Sequence, residues 1–337
     1  MVLADNSSLP YVAYATGMAQ LNPRIRYDPS LANPRRLCNC ARVCYHPSSR
    51  LCHCAKLMNR KIVCARLASC IIGGCLLTPA AHASAAQNPC TGPSALLALL
   101  DRPTISDSSC VVPNGKTVLE AGVALGRLSS PPGGRFDTLP NAELRAGLPD
   151  NNELVWLPPN FQYQRTDASP GVPAATDSGF GATVIGLKHE IGYDAHWQWT
   201  VEGLATLPSG NSFYGSHGAG AAVNGIVSYS SGGPFGASLM LGATSQTEPT
   251  SAGGGRYQSV NPDVTVTWQL SPRLQFYGEV YAQTHTAPGQ NWGSDADGGV
   301  QYLLSRNWEV DLEEGVRLQG NLGGFTRYTG AGFGTIF

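Results

Sequence analysis

The residues able to carry chemistry fall into three groups. The first is a run of cysteines, Cys38, Cys40, Cys44, Cys52 and Cys54, with His46 and His53 close by, which are the ligand types of a zinc site. Their spacing, C-x-C-x3-C-x7-C-x-C, lacks the paired C-x2-C knuckles of a closed tetrahedral site. The second group is nucleophile–base pairs. A hydrolase at the lipid-facing rim would need Ser, His and an acidic or amide orienter within hydrogen-bond reach, and Ser216-His217 and His189-Glu190 are the nearest pairs. Ser216-His217 sits in or beside a Gly-rich loop. His189 and Glu190, adjacent in an alternating segment, point to opposite faces. The histidines after residue 85 (His189, His196, His217 and His285) show no metal-ligand spacing, and Gly253-Gly254-Gly255 has no following helix or Lys to hold a phosphate. Neither a catalytic residue nor a metal or cofactor is expected. The third group is different in kind. Glu143, Arg145, Lys188, Glu202, Tyr277, Glu279, Tyr281, Asp311, Glu313 and Arg317 fall on the polar side of alternating segments, where they would line an interior rather than react.

Those segments are the elements that position the third group. From Lys116 onward the chain divides into twelve stretches of about nine to thirteen residues with alternating apolar and polar positions, the length a tilted strand needs to cross hydrocarbon. They lie near 116–127, 138–148, 153–163, 180–191, 196–207, 218–230, 235–246, 258–270, 274–285, 296–304, 308–318 and 325–337. Every second connection is short: 149–152, 192–195, 231–234, 271–273 and 305–307 are rich in Pro, Gly, Asn, Asp and Ser. Longer Gly/Pro/Ser stretches, 164–179, 208–217, 247–257 and 286–295, alternate with them. This rhythm predicts an all-β fold, a transmembrane antiparallel up-and-down barrel of about 12 strands, with both termini in the periplasm.

Alternation alone fits a soluble sandwich as well; the aromatics separate the two. Five of the six Trp (Trp156, Trp197, Trp199, Trp268 and Trp308) fall within a few residues of a short turn, on the apolar face with Leu274, Phe276 and Val280. An amphipathic ring prefers the headgroup level, so this pattern predicts a girdle in outer-membrane lipid at one interface. Glu314 is a misfit among Val310, Leu312, Val316 and Leu318, and predicts a bulge or a position near the outer rim. Phe337 ends the last strand as a terminal aromatic of the kind that barrel-assembly machinery recognises.

The front of the chain reads as an address. Residues 58–85 combine Arg60, Lys61 and Arg66, a short apolar core from Leu67 to Leu77 and a small-residue site at Ala83-Ser84-Ala85, the organisation of a signal peptide. Residues 1–57 would then be an extension arising from a misplaced start, with the mature protein beginning near Ala86. Of 22 Lys and Arg, 10 lie in residues 1–85 with only Asp5 and Asp28, leaving 12 basic against 21 acidic residues afterwards. So acidic a body excludes nucleic acid as a natural partner. Cys90 and Cys110 are the last cysteines and are expected to pair in an oxidising periplasm. Residues 86–115 form a periplasmic or plug-like segment, lying under the barrel 116–337 or entering it.

Several blocks of sequence resemble one family. Asp101-Arg102-Pro103-Thr104-Ile105-Ser106-Asp107-Ser108, Val112-Pro113-Asn114-Gly115 and Leu119-Glu120-Ala121-Gly122 are similar to the opening of the outer-membrane transporter family labelled for the MetA-pathway of phenol degradation. Glu143–Leu148, Ile185–Lys188 and Asp297–Leu304 resemble later blocks. The resemblance implies an outer-membrane barrel, in a Gram-negative bacterium, that passes small and often hydrophobic or aromatic compounds; it carries no catalytic residues. Cys110 within the opening block, and Thr335-Ile336-Phe337 without a basic residue before the aromatic, depart from the pattern. The function expected is passage of a small-molecule solute, the alternatives being a lipid or ester hydrolase and a plugged structural barrel.

Overall fold

The computed structural model describes residue 88, residues 90–128 and residues 133–337; the expected extension, signal peptide and start near Ala86 lie outside the described residues. A short helix α1 (Ala95–Leu99) precedes β1 (Thr117–Leu128), β2 (Gly134–Leu148), β3 (Asn152–Leu157), β4 (Phe161–Thr166) and β5 (Ala175–Phe180). Then follow β6 (Val184–Tyr193), β7 (Trp197–Thr206), β8 (Gly220–Ser230), β9 (Phe235–Thr247) and β10 (Arg256–Ser271). The chain ends with β11 (Leu274–Gln283), β12 (Gly293–Leu303), β13 (Trp308–Gln319) and β14 (Phe325–Ile336). All pairings are antiparallel, and β1 pairs with both β2 and β14, so the sheet closes on itself.

The fourteen strands build a twelve-strand barrel. Leu144 faces Trp156 of β3 and Leu139 faces Phe161 of β4, one unbroken register on β2. Asn152 faces His189 of β6 and Phe161 faces Phe180 of β5, again one register. Thus β3 and β4 are two halves of one strand, as are β5 and β6. The ladder lapses between the halves because Pro158 and Pro159, like Pro140 on the neighbouring strand, have no N–H to donate. The halves reach further than the alternation suggested, to Thr166 and from Ala175, into the stretch expected to be loop.

One end of the barrel carries the short turns. At the first, Asp150 and Asn151 take φ of 61° and 57°, the left-handed values that a tight hairpin needs and that Asp and Asn tolerate. Thr117 and Phe337 meet at this turn end, exchanging backbone hydrogen bonds of 3.0 Å. The other, loop end carries residues 133, 167–174, 207–219, 248–255, 284–292 and 320–324.

Side chains alternate as the period of a strand requires. Phe276 and Val280 are exposed on the outer face, while Tyr277, Glu279 and Tyr281 are buried on the inner one. Trp156, Trp197, Trp199, Trp268 and Trp308 are all exposed outside, with Trp268 between Phe235 and Phe276 and Trp197 against Tyr229. The ladder runs without a bulge through Glu314, whose neighbours are Gly298 and Thr329; the nearest irregularity is at Ser294/Asp295. Glu314 is instead satisfied in place, accepting a hydrogen bond from the Thr329 hydroxyl.

Inside, α1 departs from an all-β reading. Leu96, Leu97, Leu99 and Leu100 bury against Cys110, Val112, Val118 and Leu303, an apolar knot within the barrel near its turn end. Cys90 and Cys110 are joined by a disulfide.

Candidate functional site: the lumen and the segment inside it

The segment from α1 to Val112 enters the barrel and is bonded to the wall around most of its circumference. Its central residue is Arg102, buried, whose guanidinium lies 2.9 Å from Asp311 and 3.5 Å from Glu313 on β13. The Arg102 N–H donates to Glu120 of β1 (2.6 Å), and its carbonyl accepts from Gln301 of β12 (2.9 Å). Burial pulls the Arg102 guanidinium toward neutrality, but Asp311, Glu313 and Glu120 more than offset it and hold it charged. Asp101 points the opposite way, to Lys188 Nζ at 3.1 Å and Arg145 Nη1 at 3.2 Å. Arg145 also binds Glu120 at 2.6 Å, Glu153 at 3.3 Å and the Leu99 carbonyl at 2.6 Å.

The rest of the segment is held by its backbone. The Ile105 and Ser106 N–H groups donate to the two oxygens of Glu279, at 2.8 and 2.9 Å, and Thr265 donates a third bond to the same carboxylate. Val112 N–H donates to Glu153, the Thr200 hydroxyl to the Ser109 carbonyl, and the Tyr277 hydroxyl to the Pro103 carbonyl. Asp107 faces Asn224 and Glu202; burial first, then Glu202, pushes its carboxyl well above the usual carboxylate range. These partners replace water for the buried N–H groups of Asp101, Arg102, Ile105, Ser106 and Val112, so the segment enters the lumen with those donors satisfied.

Of the ten lumen residues expected from alternation, nine are buried inside the barrel and Arg317 is half-buried toward the loop end. Eight of them touch the segment or the ion network that holds it. Tyr277 is bonded to it and also borders a cleft beside it, whereas Tyr281 packs with Ile105, Ile226, Met240 and Leu322, so its ring is closed to a solute while the segment is seated. Glu143 stands apart: its oxygens approach those of Asp101 and Glu120 within 4.8 Å, yet neither has a hydrogen-bond partner among the described residues. Asp101 and Glu120 are committed to Arg145, Lys188 and backbone N–H groups.

Sequence reasoning did not single out Asp101, Arg102, Glu120 and Glu153 as lumen residues. Their signal is in the register. Glu120 faces Glu143 and Glu279 faces Asp297 directly across strands, and like charges so placed need a partner from elsewhere. The segment supplies that partner as Arg102 and as backbone N–H groups.

The filling is incomplete. A cleft of about 230 Å³ runs between the segment and the wall formed by β8–β11. Its wall side carries Ser228, Ser238, Thr265, Thr267, Gln269 and Gln275, all neutral.

The residues considered for hydrolysis are not assembled into a site. The Ser216 hydroxyl donates to the Gly218 carbonyl and lies 3.0 Å from Thr247, whereas His217 Nδ1 is 3.2 Å from Thr250. His189 is exposed against Asn152 and Glu190 is buried against Gln198.

Residues 100–333 match the family described as Putative MetA-pathway of phenol degradation. The chain belongs to this family. Among curated proteins, none matches it in sequence. An outer membrane channel from Pseudomonas putida F1 has a similar fold, with a TM-score of 0.52 at 13% identity, over 68% of this chain and 98% of that one. The NanC porin covers 65% of this chain and 98% of its own at 10% identity, with a TM-score of 0.41. The KdgM porin covers 65% and 99% at 9% identity, with a TM-score of 0.42. In this member of the family the matched region includes both the barrel and the Arg102 segment that occupies its lumen.

Proposed function

We propose that this family member is an outer-membrane channel for small molecules whose lumen is stoppered by its own N-terminal segment. In this reading the turn end and both termini of the barrel face the periplasm, after cleavage of residues 58–85. Phe337, with its side chain exposed beside the turn end, is the terminal aromatic offered to the assembly machinery. The observation that carries the reading is the asymmetry of the filling. Charged groups of β1, β2, β3, β6 and β13 form the ion network around Asp101 and Arg102, while β8–β11 bond the segment through Glu279, Tyr277 and Asn224 and otherwise present neutral hydroxyls and amides across an open cleft. Such a lining excludes neither neutral nor apolar solutes, and a barrel of this size has too little room for a wide aqueous pore beside its filling. The family description supports aromatic or other hydrophobic compounds as cargo.

The test is reconstitution of the folded protein into liposomes with a panel of small aromatic and aliphatic solutes. Flux above that of protein-free vesicles is expected. Folded barrel without any flux of solute or ion would leave the plugged structural reading in its place.

A further inference from the structure

The outer face of the loop end carries a charge pattern that the channel does not explain. Arg165 on β4 faces Arg135 on β2, Arg135 faces Arg127 on β1, and Arg127 faces Arg327 on β14. Directly opposed residues of an antiparallel pair share a face, so four guanidinium groups form one cross-strand row, about 14 Å long at the spacing of strands. All four residues are exposed. Like charges directly opposed destabilise a sheet, and here the arrangement occurs three times in succession. Among the described residues only Arg135 of the four has a carboxylate partner, Asp137, and it also lies 5.8 Å from the Tyr163 ring; Arg127, Arg165 and Arg327 have no ion-pair partner among them.

Composition does not produce this row. Only 12 Lys and Arg follow residue 85 in a body with 21 acidic residues, and four of the 12 are in it. Elsewhere near the loop end the outer face carries Val223, Val260 and Leu318. Directly below the row lie Thr329, Leu125, Asp137 and Tyr163, and beneath them, toward the middle of the barrel, Val123, Leu139 and, on the neighbouring β5, Phe180 are exposed, with Phe161 edge-on to Phe180. Anion-seeking forks above an apolar wall match a molecule that carries phosphate at its head and acyl chains beneath it. Guanidinium groups bind phosphate in a bidentate manner, and clustered basic groups at a membrane surface draw anionic headgroups.

We propose that Arg127, Arg135, Arg165 and Arg327 form a binding site for the phosphates of a phosphorylated glycolipid in the leaflet at the loop end, lipid A in the outer leaflet. The site rests on the membrane placement proposed above, but not on passage through the lumen. The experiment is native mass spectrometry of the folded protein in detergent, titrated with diphosphoryl lipid A, with dephosphorylated lipid A, and with inorganic phosphate as competitor. Wild type should retain diphosphoryl lipid A in preference to the dephosphorylated form. The Arg127→Gln/Arg327→Gln double variant should bind it at least tenfold more weakly, Arg127→Lys/Arg327→Lys should fall between, and Arg256→Gln, a basic residue elsewhere near this end, should match wild type. Equal binding by wild type and the double variant, equal binding of the dephosphorylated lipid, or displacement by equimolar inorganic phosphate would each overturn the proposal. Liposome flux is unaffected by these outcomes, so the lipid site and the channel fail separately.

Discussion

At the turn end the two sides of the lumen are built from different chemistry. On the side of β1, β2, β3, β6 and β13, Glu120, Arg145, Glu153, Lys188, Asp311 and Glu313 form one buried network with Asp101 and Arg102 of the inner segment. On the side of β8–β11, Ser228, Ser238, Thr265, Thr267 and Gln269 face a cleft. The first side gains its stability by completing charges that the strands cannot complete among themselves, since Glu120 opposes Glu143. The second needs the segment chiefly at Glu279, whose carboxylate takes the Ile105 and Ser106 N–H groups, while its hydroxyls and amides accept water or a passing solute at little cost. A wall tied to its stopper by ion pairs stands opposite a wall that touches it at fewer groups and leaves a cleft, which is what a path alongside a fixed segment requires.

The comparison can be broken most severely at Arg145. Arg145→Ala leaves Glu120, Glu153 and Asp101 facing one another without their shared cation, and removing one member of a buried ion network typically costs about 3–5 kcal/mol. Urea titration of the folded, heat-modifiable form should show the loss, whereas Thr267→Ala on the neutral side should leave the midpoint nearly unchanged. Next is the disulfide. Cys90 and Cys110 close a loop with a sequence separation of 20, worth about 3 kcal/mol in the chain-entropy model. Cys90→Ser/Cys110→Ser should loosen the segment rather than the barrel, seen as faster hydrogen exchange in residues 90–112 with strand protection retained.

Much of this wall was legible from the sequence because a strand has a period of two. The exposed and the buried faces of the strands each followed from alternation and from the short turns, which fix where a strand starts. The interior filling was less legible. Leu96, Leu97, Leu99 and Leu100 read as apolar residues without a face, since a helix of five residues is too short to show a 3.6-residue period. The roles of Asp101 and Arg102 depend on contacts with residues about 90 and 210 positions later, which no local pattern encodes. Pro158 and Pro159 obscured the third and fourth strands for a physical reason: they remove ladder donors in mid-strand while the register persists on both sides.

A gentler probe of the segment's seating is pH. Burial, then the nearby Glu202, raises the Asp107 carboxyl well above its ordinary range, so its contribution to seating the segment is complete below the ordinary carboxylate range and is lost as pH rises through the raised value. Hydrogen exchange of residues 101–112 should therefore quicken with increasing pH beyond the intrinsic chemical trend, and Asp107→Asn should remove that excess. The smallest effect is expected outside. Trp268→Ala breaks a ring contact with Phe235 and another with Phe276, cross-strand pairs worth about 0.2–1 kcal/mol each. It should lower the unfolding midpoint slightly without altering the lumen.

The central claim is that the inner segment, held by Arg102, restricts passage through the barrel. Single-channel recording in planar bilayers tests it most directly, comparing wild type with Arg102→Ala after both are shown to be folded by heat-modifiable migration. Freed from Asp311 and Glu313, the segment should leave the charged wall, and the variant should show a larger or longer-lived conductance than wild type. Identical conductance in the two proteins, with the segment demonstrably released by hydrogen exchange, would contradict the claim.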